Sequence, residues 1–136
     1  MTPYQPRHFI VQEFVPPELY KALGARSIFV MDYYIVKMAD AIREYFGLPM
    51  TINNWKWGGK FKYRGFRPCE CKVGAKYSLH RTGKAIDFDI AGVSAEEVRQ
   101  EILNHPRLFP HIAALEKGVS WVHADCRCIT DGPILF

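Results

Sequence analysis

No stretch of the chain runs apolar for the roughly 20 residues that crossing a bilayer takes. The longest apolar region, residues 28–46, is broken by Asp32, Lys37, Asp40, Arg43 and Glu44, so no membrane span is expected. Strong charge is lacking too. Eighteen Lys plus Arg against 14 Asp plus Glu leave +4 at pH 7, a weak preference for anionic partners that identifies no specific nucleic acid. Pro3, Gln5, Pro6, Arg7 and His8 interrupt any basic start, apolar centre and small-residue cleavage site. Synthesis in the cytoplasm without a signal peptide is therefore the expectation. Internal repeats, low-complexity tracts and interdomain linkers are missing as well. What remains is 136 residues, 49% hydrophobic and 24% charged, which reads as one folded domain whose core needs no obligatory disulfides.

Pro3, Pro6, Pro16 and Pro17 make residues 1–17 an extended arm ending where a helix begins. A short helix is predicted over about 18–27. A stronger one carries Met31, Ile35, Met38, Ile42 and Tyr45 at spacings of four and three until Gly47 and Pro49 stop it. From Thr51, Trp55, Trp57, Phe61, Tyr63 and Phe66 alternate with Lys56, Lys60, Lys62, Arg64 and Arg67 around Gly58 and Gly59. This reads as a hairpin or long loop, either an amphipathic strand pair or a surface for an anionic polymer. Residues 85–90 alternate so that Ile86, Phe88 and Ile90 face one side and Asp87 and Asp89 the other. Ser94 and Glu97 form a capping box for a helix to about 104, and Pro106 starts another that Gly118 ends. A last strand points Trp121, His123 and Asp125 to one face.

The chemistry gathers at His80 and Asp87, an imidazole before a glycine turn and a carboxylate on the strand after it. Zinc takes imidazole nitrogen and carboxylate oxygen, and a catalytic site adds a third protein ligand and an open position. His123 is the natural third if its strand neighbours that of Asp87. Cys69 with Cys71 and Cys126 with Cys128 read as ordinary thiols, a second metal site or disulfides.

Ser78, His80, Gly83, Ala85 and Asp87, followed by Trp121, His123 and Asp125, resemble the two motifs of the zinc D-alanyl-D-alanine metallopeptidases. That family includes bacterial D,D-carboxypeptidases, phage endolysin peptidases and the hedgehog signalling domain. The resemblance spans residues 51–127 and implies Zn2+ held by His80, Asp87 and His123 with water in the remaining position. Members usually carry an acid a few residues before the final histidine, often three, where this chain has Ser120. Glu116 is the nearest upstream acid, placed by this reading at a helix end from which a turn returns its carboxylate to the metal. It is the expected general base. Gly65-Phe66-Arg67 is similar to the family's glycine-aromatic-arginine strand, which makes Arg67 the expected catalytic cation and substrate anchor. Ser78 and Trp121 complete the expected substrate contacts, and Asp89 and Asp125 are expected in supporting places.

The expected fold is α+β: a small, mostly antiparallel sheet with a hedgehog/D,D-peptidase-like zinc site, flanked by helices over 18–47 and 94–117. The expected function is hydrolysis of a D-alanyl bond in the stem peptide of peptidoglycan, by a monomer that reaches the wall after lysis or as part of a phage particle. Two alternatives stay open. One is a zinc-stabilised binding module that has lost catalysis, and the other a nucleic-acid binder using residues 55–67.

Overall fold

Pro17 opens helix α1 (Pro17–Leu23), because the first helical turn needs no amide donor from it. A 3-10 segment, Gly24–Val30, leads to α2 (Tyr33–Phe46). Asp32 caps α2 by accepting the Tyr34 amide at 2.8 Å, and Gly47 ends it at φ +63°. Met31, Ile35, Met38 and Ile42 are buried, as the helical spacing requires, while Tyr45 is exposed. Helix α3 (Ala95–Asn104) starts at Ser94, whose hydroxyl accepts the Glu97 amide.

The computed structural model describes residues 2–128 and 132–136. Strands β1 (Met50–Thr51), β2 (Ala85–Ile90), β3 (Ala114–Leu115), β4 (Val122–Asp125) and β5 (Ile134–Leu135) form one mixed sheet in the order β1-β2-β4-β3-β5. Only the β3–β5 pairing is parallel; the other three are antiparallel. Among the described residues, three α-helices and this sheet make the fold α+β. Ile86, Phe88 and Ile90 of β2 share one core with Ile35, Val36 and Ile42 of α2 and Val98 and Ile102 of α3. Each such side chain stabilises the fold by about 1.5 to 3 kcal/mol when fully buried. The opposite face of β2 is left for polar chemistry.

Local expectations change or narrow. Residues 2–10 are irregular, but they are pinned: the buried Asp40 accepts from Tyr4 Oη at 2.8 Å and from the amides of Arg7 at 2.8 Å and His8 at 3.0 Å. Phe9, Phe14 and Val15 then enter the core. No helix runs from Pro106 to Gly118; turns lead to β3 instead. Pro110 lacks the donor that a helix interior needs, and Ile112, Ala114 and Leu115 are buried against the core or sheet. Of the two forms expected after Thr51, a hairpin or a long loop, residues 52–78 take the loop, with a 3-10 turn at Trp55–Trp57. Gly65-Phe66-Arg67 is likewise irregular, tied down by Phe66 N to Phe14 O and Arg67 N to His80 O. A Cβ at Gly65 would collide with the Phe14 carbonyl.

Candidate metal centre

The β2–β4 register sets Asp87 directly opposite His123, and cross-strand neighbours lie close enough for their side chains to touch. His80 arrives from a 3-10 turn, Leu79–Thr82, whose entry is capped by the Ser78 hydroxyl and whose exit is Gly83 at φ +71°. That glycine is required twice, because a Cβ there would also strike the Val30 carbonyl. The Gly83 carbonyl accepts the Asp32 amide at 2.9 Å, and Asp32 receives Lys84 Nζ at 2.7 Å. The start of α2 thus holds the turn that carries His80.

One oxygen gathers both rings. Asp87 Oδ1 lies 3.1 Å from His80 Nε2 and 2.9 Å from His123 Nδ1. The far nitrogens have partners that settle the tautomers. His80 Nδ1 lies 2.8 Å from the Gly65 carbonyl, which can only accept, so Nδ1 carries the proton. His123 Nε2 lies 3.0 Å from Asp125 Oδ2 and donates to it. Each neutral ring then turns a lone pair toward the Asp87 carboxylate, an arrangement that needs a cation or a proton between the atoms. All three ligand atoms lie within 4.8 Å of one another, and the three residues are buried. Tetrahedral zinc with bonds of about 2.0 to 2.2 Å separates its ligand atoms by roughly 3.3 to 3.6 Å, a few tenths of an ångström from the contacts seen. His80, Asp87 and His123 therefore form a group that could hold a metal ion.

The surroundings support that set. Arg67 Nη2 donates to Asp87 Oδ2 at 3.1 Å, and its Nε donates to the Tyr63 carbonyl at 2.8 Å, leaving Oδ1 to the histidines. Asp125, fully buried, receives Arg127 Nε at 2.8 Å and Nη2 at 2.7 Å. Burial works against the charged form of His123, yet Asp125 and Asp87 outweigh it and hold the ring at about 9. Burial likewise opposes ionisation of Asp87, but the bonds from His123 and His80 prevail and depress it far below the usual carboxylate range. Without a metal, a proton takes the cation's place on His123 at neutral pH.

Compared with protein-family models, curated proteins and solved structures, the chain shows no match.

A cleft of about 620 Å³ is lined by all seven residues expected at the site: Arg67, Ser78, His80, Asp87, Glu116, Trp121 and His123. Glu116 reaches it by a different route from the one expected. It follows β3 rather than ending a helix, and its amide bonds to the His123 carbonyl at 3.3 Å, so strand pairing sets it beside the metal group. Its carboxylate has no hydrogen-bond partner among the described residues. Ser120 lines neighbouring cavities instead, in a turn whose carbonyls at Val119 and Trp121 receive the buried Arg99. Asp89 pairs with Arg64 Nη1 at 2.9 Å and does not touch the histidines. Sequence reasoning missed Gly74, Tyr77 and Phe136, which also line the cleft. Gly74 at φ +80° leaves room for the Arg67 guanidinium that a Cβ would displace, and its turn geometry was the only available signal. Arg127, the ion-pair partner of Asp125, walls the cleft as well.

The four cysteines are free thiols, and among the described residues only the His80 group brings three possible ligands together. Cys126 is pushed up to about 12 by burial and then by the Asp32 charge. The segment holding Cys69 and Cys71 is fastened by Arg81, which donates to the carbonyls of Pro68, Cys69 and Cys71 at 3.0, 3.1 and 2.7 Å.

Proposed function

We propose that the protein is a zinc-dependent peptidase that hydrolyses a D-alanyl bond in the stem peptide of bacterial peptidoglycan. The observation that carries this reading is the convergence of three lone-pair donors, each backed by a fixed partner, at the floor of an open cleft that also holds Glu116 and Arg67. Two neutral imidazoles and one carboxylate leave zinc a net charge of +1, and a three-ligand set leaves a coordination position open. When bound, the ion supplies Lewis acidity that polarises a carbonyl and acidifies water. The substrate class comes from the resemblance of the two motifs.

Glu116 accepts the proton of the attacking water and returns it to the leaving amine nitrogen. Arg67 spends Nε and Nη2 on the protein; Nη1, with no partner among the described residues, donates to the oxyanion that develops on the scissile carbonyl. The Gly65 carbonyl and Asp125 keep the two rings in the tautomers that bind metal. Trp121, Tyr77 and Phe136 offer apolar walls to the peptide, and Ser78 orders the turn beneath it.

The test is digestion of purified peptidoglycan by wild type and Glu116→Gln, with product masses and bound zinc measured together. The expected result is zinc retained and turnover reduced by about 10²- to 10⁴-fold in the variant. Undiminished cleavage removes Glu116 as the base. Full zinc with no cleavage even by wild type replaces the enzyme with a metal-stabilised binding module.

A further inference from the structure

Asp87 and Trp121 each line two cavities. Beyond Trp121 the cleft continues into a chamber of about 370 Å³ walled by Lys60, Phe61, Arg64, Asp89 and Ser120. On the face shared by β2 and β4, Asp87 and His123 form the central pair. Asp125 and Arg127 lie toward one end of that strand pair, and Asp89 with Trp121 toward the other. The metal-binding group lines the cleft itself and its Asp87 also borders the chamber, so a bound chain lying over the group meets the Arg127 end of the cleft in one direction and the chamber in the other.

The chamber has the makings of an anion site. The Arg64 side chain is only 10% exposed, and its guanidinium lies 4.1 Å from the Phe61 ring centroid. Its Nη1 is committed to Asp89 Oδ2 at 2.9 Å and to the Thr51 carbonyl at 3.5 Å. Nε and Nη2 have no partner among the described residues, so a guanidinium with five donors keeps most of them unspent. The Lys60 ammonium sits 5.4 Å from the same ring and has no ion pair among the described residues. Asp87 is already matched by Arg67. Lys60 and Arg64 against Asp89 leave one positive charge in excess, beside two aromatic rings that thin out water and strengthen a charge-assisted bond.

We infer that this chamber is a subsite for a carboxylate-bearing residue of the substrate. The peptide is then held on both sides of the bond that is cut, and the enzyme acts within a chain or cross-link rather than releasing one terminal residue. The inference rests on the peptidase reading above, and it names that enzyme's substrate class as acidic and internal.

The test measures affinity in the full chain carrying Glu116→Gln and loaded with zinc. The probes are cross-linked wall-peptide dimers with free carboxylates, the same dimers amidated, and single stem peptides ending in D-alanine. Free-carboxylate dimers are expected to bind about tenfold more tightly than either other probe. Adding Lys60→Glu should abolish that advantage. Equal affinity for free and amidated dimers, or for dimers and single stems, overturns the subsite but leaves the peptidase standing if wild type cuts any of them. Failure of all three probes to bind, with no cleavage by wild type, overturns both.

Discussion

His80 and His123 converge on the same carboxylate oxygen but are held by different means. His80 rides on a turn that depends on Gly83, and its outer nitrogen faces a backbone carbonyl, Gly65 O. His123 belongs to a paired strand, and its outer nitrogen faces a buried carboxylate that two Arg127 nitrogens neutralise. The first support is uncharged and lies beyond the reach of side-chain substitution. The second is ionic, so it makes the ring more basic as well as orienting it. One ring is steered by where the backbone runs and the other by a charge that a point mutation can remove.

Removing either ring breaks the comparison most severely. His80→Ala and His123→Ala should both come off a desalting column without zinc, read by elemental analysis against a folded circular dichroism spectrum. Full occupancy in either one would show that its ring is no ligand. Asp125→Asn should separate the two supports: the amide oxygen still accepts from Nε2 but the charge is gone, and zinc affinity should fall about 10- to 100-fold in a chelator competition. An unchanged affinity would mean that the charge at Asp125 does nothing for the metal.

The smallest effect is in pH. His123 is raised from its ordinary 6.5 to about 9, so its contribution to the stability of the metal-free protein is full below 6.5 and fades as pH rises through about 9. Asp87 is depressed below its ordinary 3.8; its contribution is present above that value and lost as pH falls through the lower, folded one. The metal-free Tm should therefore decline between pH 6.5 and 9, and saturating zinc, by displacing the His123 proton, should flatten that limb. A metal-free Tm that climbs over this range would argue against a proton shared between His123 and its two carboxylates.

Much of the site was legible because its motifs are local. Alternation in residues 85–90 assigned Asp87 to the face away from Phe88, and alternation from Trp121 to Asp125 put His123 and Asp125 together. The Gly83 turn marked the reversal after His80. Glu116 lines the cleft by a route the sequence does not show: Pro106 and Gly118 imitate helix boundaries, whereas Pro110 and the buried Ile112 to Leu115 run favour a strand. Of the three readings of the cysteines the free thiol is the one seen, and Arg81 fastens the segment of Cys69 and Cys71 through backbone carbonyls. Carbonyl acceptors leave no trace in side-chain patterns, so that role of Arg81 was invisible.

The amino-acid order by itself determined which residues cap, turn and alternate, since those depend on the geometry of a few neighbouring peptide units. It thereby named the two imidazoles and the carboxylate. Only the tertiary structure decided which nitrogen of each ring faces inward, that Glu116 lies beside His123 through strand pairing, and that a second, cationic chamber adjoins Asp87. Those features depend on the register between chain segments as far apart as the 36 residues from Asp87 to His123, and on where buried carbonyls and carboxylates come to rest when the core closes.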